Sequence, residues 1–203
     1  PVLFIIVAFI VVAFIAIPNY IKSSAIREAT EQGLVLAERL KVLRAYYTEN
    51  VVNKVVSNSQ FTASFNHVSE SNTIPLPATM IHDLSGYFTK DNVSIKLYSV
   101  FPFPNRAERT LDDFEVSTWK KLSLNKENMA TLVEKVNGET VVRTAIADTM
   151  TTQACVDCHN SHQNTPKADW QLGDVRGVLE VTQNIHGAIE SGKQLSYRIV
   201  FGL

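Results

Sequence analysis

Cys155 and Cys158 are the two cysteines of the chain, and His159 directly follows the second in the string QACVDCHNSH. Thiols at this spacing serve structural zinc, thiol–disulfide exchange or covalent attachment of haem c. Zinc needs four protein ligands, usually with a second Cys-x-x-Cys or a His pair farther along, and no other cysteine is present. His159 and His162 could nominally complete a set, but the adjacent Cys158 and His159 are poorly placed to share one tetrahedron. A thioredoxin-like pair belongs at a helix N-terminus after a strand of a parallel βαβ unit, and the residues around Cys155 read as no such unit. Haem c gives every position work. Cys155 and Cys158 would bond the two vinyl groups as thioethers, and His159 would bind the iron as proximal ligand.

The opposite iron position draws on His67, His82, His162 and His186, with Met80, Met129 and Met150 as thioether candidates. His162 lies too close to the proximal ligand to cross to the other face, and His186 falls in the C-terminal tail. His67, in the loop after a long helix, is therefore the preferred second iron ligand. The alternative is a vacant or water-bound position lined by Arg44, Tyr46 and Tyr47 of that helix. Arg106, Arg143 and Arg176 are candidates to pair with the haem propionates. No nucleophilic triad, paired-carboxylate motif or phosphate-binding glycine loop is seen, so an enzyme is not expected, and Asp112 and Asp113 read as charges at a helix N-terminus. A net charge of −1 makes no electrostatic case for nucleic acid.

These residues need elements to hold them. Residues 1–17 carry no charge and, as a helix, span ~25 Å against a hydrocarbon core of ~30 Å. Residues 1–18 are expected to be a transmembrane anchor in contact with lipid. The segment lacks the basic start and small-residue cleavage site of a signal peptide. It also resembles the start of a type IV pilin, but Ile5 stands where pilins have Glu. Because haem c is attached outside the cytoplasm, everything after Pro18 is expected on the periplasmic side. A helical pattern follows over residues 19–58, with Leu36, Leu40, Leu43, Tyr47, Val51 and Val55 at intervals of three and four and Gly33 as a weak point. That stripe is either core or the contact with a redox partner or a second copy. A proline-bearing loop opens a short helix near residues 78–89, VSIKLYSV alternates as a strand, and LDDFEVSTWKKL reads as a helix whose charges match its dipole. Asn137-Gly138 marks a type I′ hairpin. VRGVLEVT is a last strand, and residues 184–203 form a helix or the start of a second membrane segment. The sum is an α+β domain over residues 59–183, an antiparallel sheet flanked by helices.

Taken together, the stretches LRAYYTENVV, IPLPATMIHDLS, LYSVFPFPNRAERTLDDFE, VVRTAIAD and ACVDCHNSHQNTPKADWQLGDVRGVLEV resemble the haem c sensor domain family with a PAS-like fold. Members occur in membrane-anchored histidine kinases, chemotaxis receptors and cyclases, and sometimes stand alone. The resemblance runs from about Ala25 to Thr182. It is most specific where Pro166, Lys167, Asp169, Trp170, Gly173, Asp174 and Arg176 follow the Cys-x-x-Cys-His. It implies a PAS-like sheet and one covalent haem c. Signalling members also carry a second membrane helix and a cytoplasmic output domain. With neither in the sequence at hand, the expectation is a membrane-anchored monohaem cytochrome that passes single electrons, and a redox or gas sensor is the alternative.

Overall fold

The computed structural model describes residues 2–89, 92–124 and 127–202. Pro1 and Leu203, the outer ends of the expected segments 1–18 and 184–203, lie outside them. Helix α1 (Val2–Tyr47) passes through a π turn at Thr48–Val52 into α2 (Asn53–Asn58). The 57 residues make one rod of about 85 Å at ~1.5 Å per residue. Pro18 lies inside α1 and does not end it. The N-terminal part of the rod is long and apolar enough to span a membrane. At the far end, Ser59 turns to extended backbone and stops α2.

Strands β1 (Thr62–Ser64) and β2 (Thr73–Pro75) pair in parallel within a stretch whose sequence reads as loop. Helix α3 (Pro77–Phe88) starts on a proline, which has no N–H to leave unpaired in the first turn. Then come β3 (Val93–Tyr98), α4 (Asp113–Ser123), β4 (Met129–Val136), β5 (Glu139–Thr149), α5 (Gln153–Ser161), β6 (Val175–Asn184) and α6 (His186–Phe201). Asp112 and Glu115 form a capping box on α4, each side chain accepting the other's backbone N–H. Asn137 and Gly138 take φ of 52° and 86°, the left-handed values a tight β4–β5 turn requires.

The main sheet is antiparallel in the order β3-β6-β5-β4. Alternation sorts its side chains. Ile95, Leu97, Ile146, Leu179 and Val181 meet Ala37 and Leu40 of α1 and Ile81 of α3 on one face. Tyr98, Ala145 and Val178 meet Leu122 of α4 on the other. Strands β5 and β6 are therefore covered on both sides, which is why their sequences are apolar with little alternation. The fold is α+β, as the pattern of elements implies.

Two helix contacts set the approach of α1. A Cβ on Gly33 would lie 3.0 Å from Thr144 Oγ1, so the residue that reads as a weak point in the helix is where the helix crosses closest to β5. Helix α6 runs antiparallel beside α1, with Ile21 against Gly192 and Phe14 against Tyr197, ring centroids 5.5 Å apart.

Candidate haem attachment site

Three residues separate β5 from helix α5, the last of them, Thr152, being its N-cap: the Thr152 hydroxyl accepts from the Cys155 N–H. A Cys-x-x-Cys in the first turns of a helix after a strand is what thiol oxidoreductases use, and the sequence does not reveal that placement. The next strand, however, is antiparallel, so no parallel βαβ unit exists. Neighbouring atoms that desolvate the sulfur of an otherwise exposed residue, together with Cys155, push the Cys158 thiol up, the reverse of what a nucleophilic thiolate needs. Both thiols are free, Cys155 half-buried and Cys158 exposed.

Cys155, Cys158 and His159 stand at i, i+3 and i+4, so a single face of α5 carries all three. The helix is anchored beside that face, with Cys155 packed on the anchoring cluster. Val156 packs with Met150 and Trp170, and Asn160 clasps the backbone of Trp170. Among the described residues no three His, Cys, Asp or Glu side chains converge as a metal-ion cage. Haem c asks for something different: two thiols in reach of the ring edge and one imidazole beneath it.

The imidazole is in the state such a ligand needs. Arg176 Nη1 lies 2.9 Å from His159 Nε2. A guanidinium can only donate, so Nε2 is the acceptor and the ring proton is on Nδ1. Burial, then the Arg176 charge, depresses His159 to about 3, which keeps it neutral. The Nε2 lone pair, the one an iron would take, accepts from Arg176, so the guanidinium holds the place a metal would displace it from. Phe103 lies against both His159 and His162, centroids 5.4 and 5.1 Å away, and Phe101 meets Trp170 edge-on at 5.6 Å. This aromatic wall, with the indole N–H of Trp170 buried and unpartnered, suits a flat apolar ring with polar groups at its edge. The residues present fit the group.

A β-bulge aims Arg176. The β5–β6 register passes from Asp148↔Gly177 to Thr149↔Val175, which leaves Arg176 as the extra residue. Its carbonyl accepts from the Ser99 hydroxyl at 2.6 Å. Its Nη2 donates to Asp148 Oδ2 at 2.6 Å, and the same buried carboxylate takes both terminal nitrogens of Arg44 from α1, Nη1 at 2.7 Å. Burial alone would push Asp148 up, but the Arg176 and Arg44 guanidiniums hold it well below the usual carboxylate range.

Other residues singled out in the sequence lie elsewhere. Arg143, expected at a propionate, is instead inside the sheet layer on the α4 side. It donates to Glu180 at 2.8 and 3.0 Å and to Glu134 at 3.1 Å, with Asp112 2.8 Å away and the Phe114 ring below. Its donors are engaged by structural carboxylates. Tyr47 donates its hydroxyl to the Pro75 carbonyl at 2.9 Å, and Tyr46 is exposed. Arg44 is part of the Asp148 pair. Arg106 ends the turn that follows Phe103, beside the site's aromatic wall. His67 Nε2 lies 3.5 Å from Asp83 of α3, and its Nδ1 is buried without a partner. Met150 is buried under α5, and Met80 and Met129 pack on the main core. Sequence reasoning does not single out Asp148. Its one signal is a lone carboxylate ending the apolar run VVRTAIAD just before the motif.

No curated protein and no solved structure matches the chain. One family model does, that of the Tll0287-like proteins, over residues 22–184. That span takes in the rod beyond the apolar segment, the whole sheet and α5 with its thiols, and so the chain belongs to the Tll0287-like family, a family of haem c sensor type.

Proposed function

We propose that this chain is a membrane-tethered c-type cytochrome domain with a PAS-like fold, carrying one haem c and moving single electrons on the periplasmic side. The observation that carries the reading is the placing of two free thiols and the His159 imidazole on one face of α5, with the His159 Nε2 unprotonated against Arg176. Cys155 and Cys158 hold the ring and His159 holds the iron, while Arg106 is proposed for a propionate and Arg176, engaged by Asp148 and His159, supplies positive charge beside the ring. When bound, the haem supplies a one-electron couple. The protein's part is to fix the imidazole, exclude water with Phe101, Phe103 and Trp170, and place positive charge at the ring. His67 is proposed for the opposite iron position. The helix face bearing Val35 and Val42, both exposed, is proposed as the contact with a redox partner or a second copy.

Acid-acetone extraction tests the attachment. Haem stays with the wild-type chain and washes out of Cys155→Ser/Cys158→Ser, whereas haem lost from the wild type overturns the reading. A second reading, a redox or ligand sensor, is favoured by the Arg44–Asp148 pair, which ties the site to the long helix. Rapid mixing of the reduced protein with carbon monoxide separates the two. Iron that resists carbon monoxide but exchanges electrons quickly supports the carrier, and prompt binding supports the sensor.

A further inference from the structure

We propose that Asp148 is a positioning residue for His159: clamped by Arg44 of α1, it holds Arg176 so that the imidazole is kept in its Nδ1–H form, with Nε2 unprotonated and accepting from Arg176. The proposal rests on the haem reading for its purpose but not for its geometry.

Three independent features build this arrangement. The β-bulge takes Arg176 out of the strand's alternation and turns it to the face where Asp148 lies. Gly177 sits opposite Asp148, and a Cβ there would clash with the Tyr98 carbonyl at 2.7 Å, so glycine is what lets β6 keep its place between β3 and the Asp148 carboxylate, 3.5 Å from that Cβ position. Finally, Arg44 approaches from a helix 104 residues away in sequence and takes the carboxylate with both terminal nitrogens, which fixes its plane. With Asp148 held on that side, its Oδ2 is presented to Arg176 Nη2, and Nη1 of the same rigid fork reaches His159. The tautomer follows from the fork, because a guanidinium offers Nε2 no acceptor.

The charge count has its own consequence. Two guanidiniums against one carboxylate leave one positive charge in a buried setting beside the iron ligand. Positive charge favours the reduced iron, so Asp148 limits that effect while Arg176 supplies it.

The test uses the full chain in detergent, as wild type, Asp148→Asn and Arg44→Met/Asp148→Asn. Nitrogen-15 NMR of His159 in chain without haem reads the tautomer directly. The wild type shows Nδ1–H alone, and both variants lose that single form. The midpoint potential of the haem-loaded chain reads the charge. Asp148→Asn shifts it upward, and the double variant, which removes one charge of each sign, returns it close to wild type. A purely structural role would lower stability and leave the tautomer unmoved, and an unmoved tautomer overturns the proposal, as does a wild type already mixed. If Asp148→Asn does not fold, the double variant, which leaves one guanidinium unpaired there instead of two, decides by its tautomer. Failure of the wild type to take up haem overturns the haem reading alone, since the tautomer is measured without it.

Discussion

Asn160 and Trp170 exchange two hydrogen bonds: the Asn160 amide donates to the Trp170 carbonyl at 3.0 Å, and the Trp170 N–H donates to Asn160 Oδ1 at 2.9 Å. The side chain thus completes the backbone of a buried residue in the segment after α5. Asn160 follows His159 directly, so the clasp sets the rotation of α5 that places His159 against Arg176 and Phe103. Lys167 stacks its ammonium 4.4 Å from the Trp170 ring and covers the indole from outside.

Replacing Asn160 with Ala leaves a buried N–H and C=O without partners, which costs about 1–3 kcal/mol. Urea denaturation of Asn160→Ala should show a lower midpoint at unchanged slope, and loaded chain should show a broadened haem spectrum. Replacing Lys167 with Ala should cost less than about 1 kcal/mol, because that cation–π contact is partly solvated.

Gly33 and Gly86 are both inside helices and predict opposite results. Nothing lies within 4 Å of a Cβ at Gly86, so Gly86→Ala should stabilise by about 0.5–1 kcal/mol through the unfolded chain. At Gly33 a Cβ meets Thr144 at 3.0 and 3.1 Å, and a larger side chain must push α1 off β5. Gly33→Val should destabilise by about 1–3 kcal/mol as an overpacked contact. Thermal melts of the two variants check this, and a stabilising Gly33→Val would show that α1 is not seated there.

Stability without haem should fall as the solution is acidified below neutrality. Burial, then Arg106 and Arg109, holds His82 at about 4, and burial with Arg176 holds His159 at about 3. Both titrate near 6.5 in an unfolded chain. Between those values the unfolded state binds more protons than the folded one. The stability these groups confer is therefore complete above about pH 6.5 and is lost on the way down, to pH ~4 for His82 and pH ~3 for His159. The slope is at most about 1.4 kcal/mol per pH unit for each histidine, and less for His82, which solvent partly screens. His82→Asn should flatten the dependence in a pH series of urea melts.

What the sequence showed of this molecule was local, and what it hid was contact between distant parts. The Cys-x-x-Cys-His string, the Asn137-Gly138 turn and the charges opening α4 each act through neighbours a few residues away, so their meaning survives in one dimension. The Arg44–Asp148 pair does not, since neither a helix arginine nor a strand-end aspartate signals its partner. Arg143 and Arg176 are alike as letters. One is surrounded by Glu180, Glu134 and Asp112, and the other is turned to His159 by one extra residue in a strand, a difference created by pairing register alone. The parallel β1–β2 pair was hidden for a related reason: three-residue strands carry too little alternation to register as a pattern.

His67 gives the sharpest test of how the iron is completed. Its Nδ1 is buried with no hydrogen bond, a costly state for a polar nitrogen, and its Nε2 lies 3.5 Å from Asp83 Oδ2, long for a hydrogen bond. A ring so weakly held can turn toward a stronger acceptor of its lone pair. With haem bound, His67→Ala should change the ferric spectrum from low spin to high spin and speed carbon monoxide binding to the reduced form, while Asp83→Asn should leave both alone. If His67→Ala and Asp83→Asn instead give the same small loss of stability and an unchanged spectrum, the histidine serves only to pin its loop to α3. The position opposite His159 is then open to solvent or filled by a group other than His67, and the carbon monoxide rate of the wild type tells which.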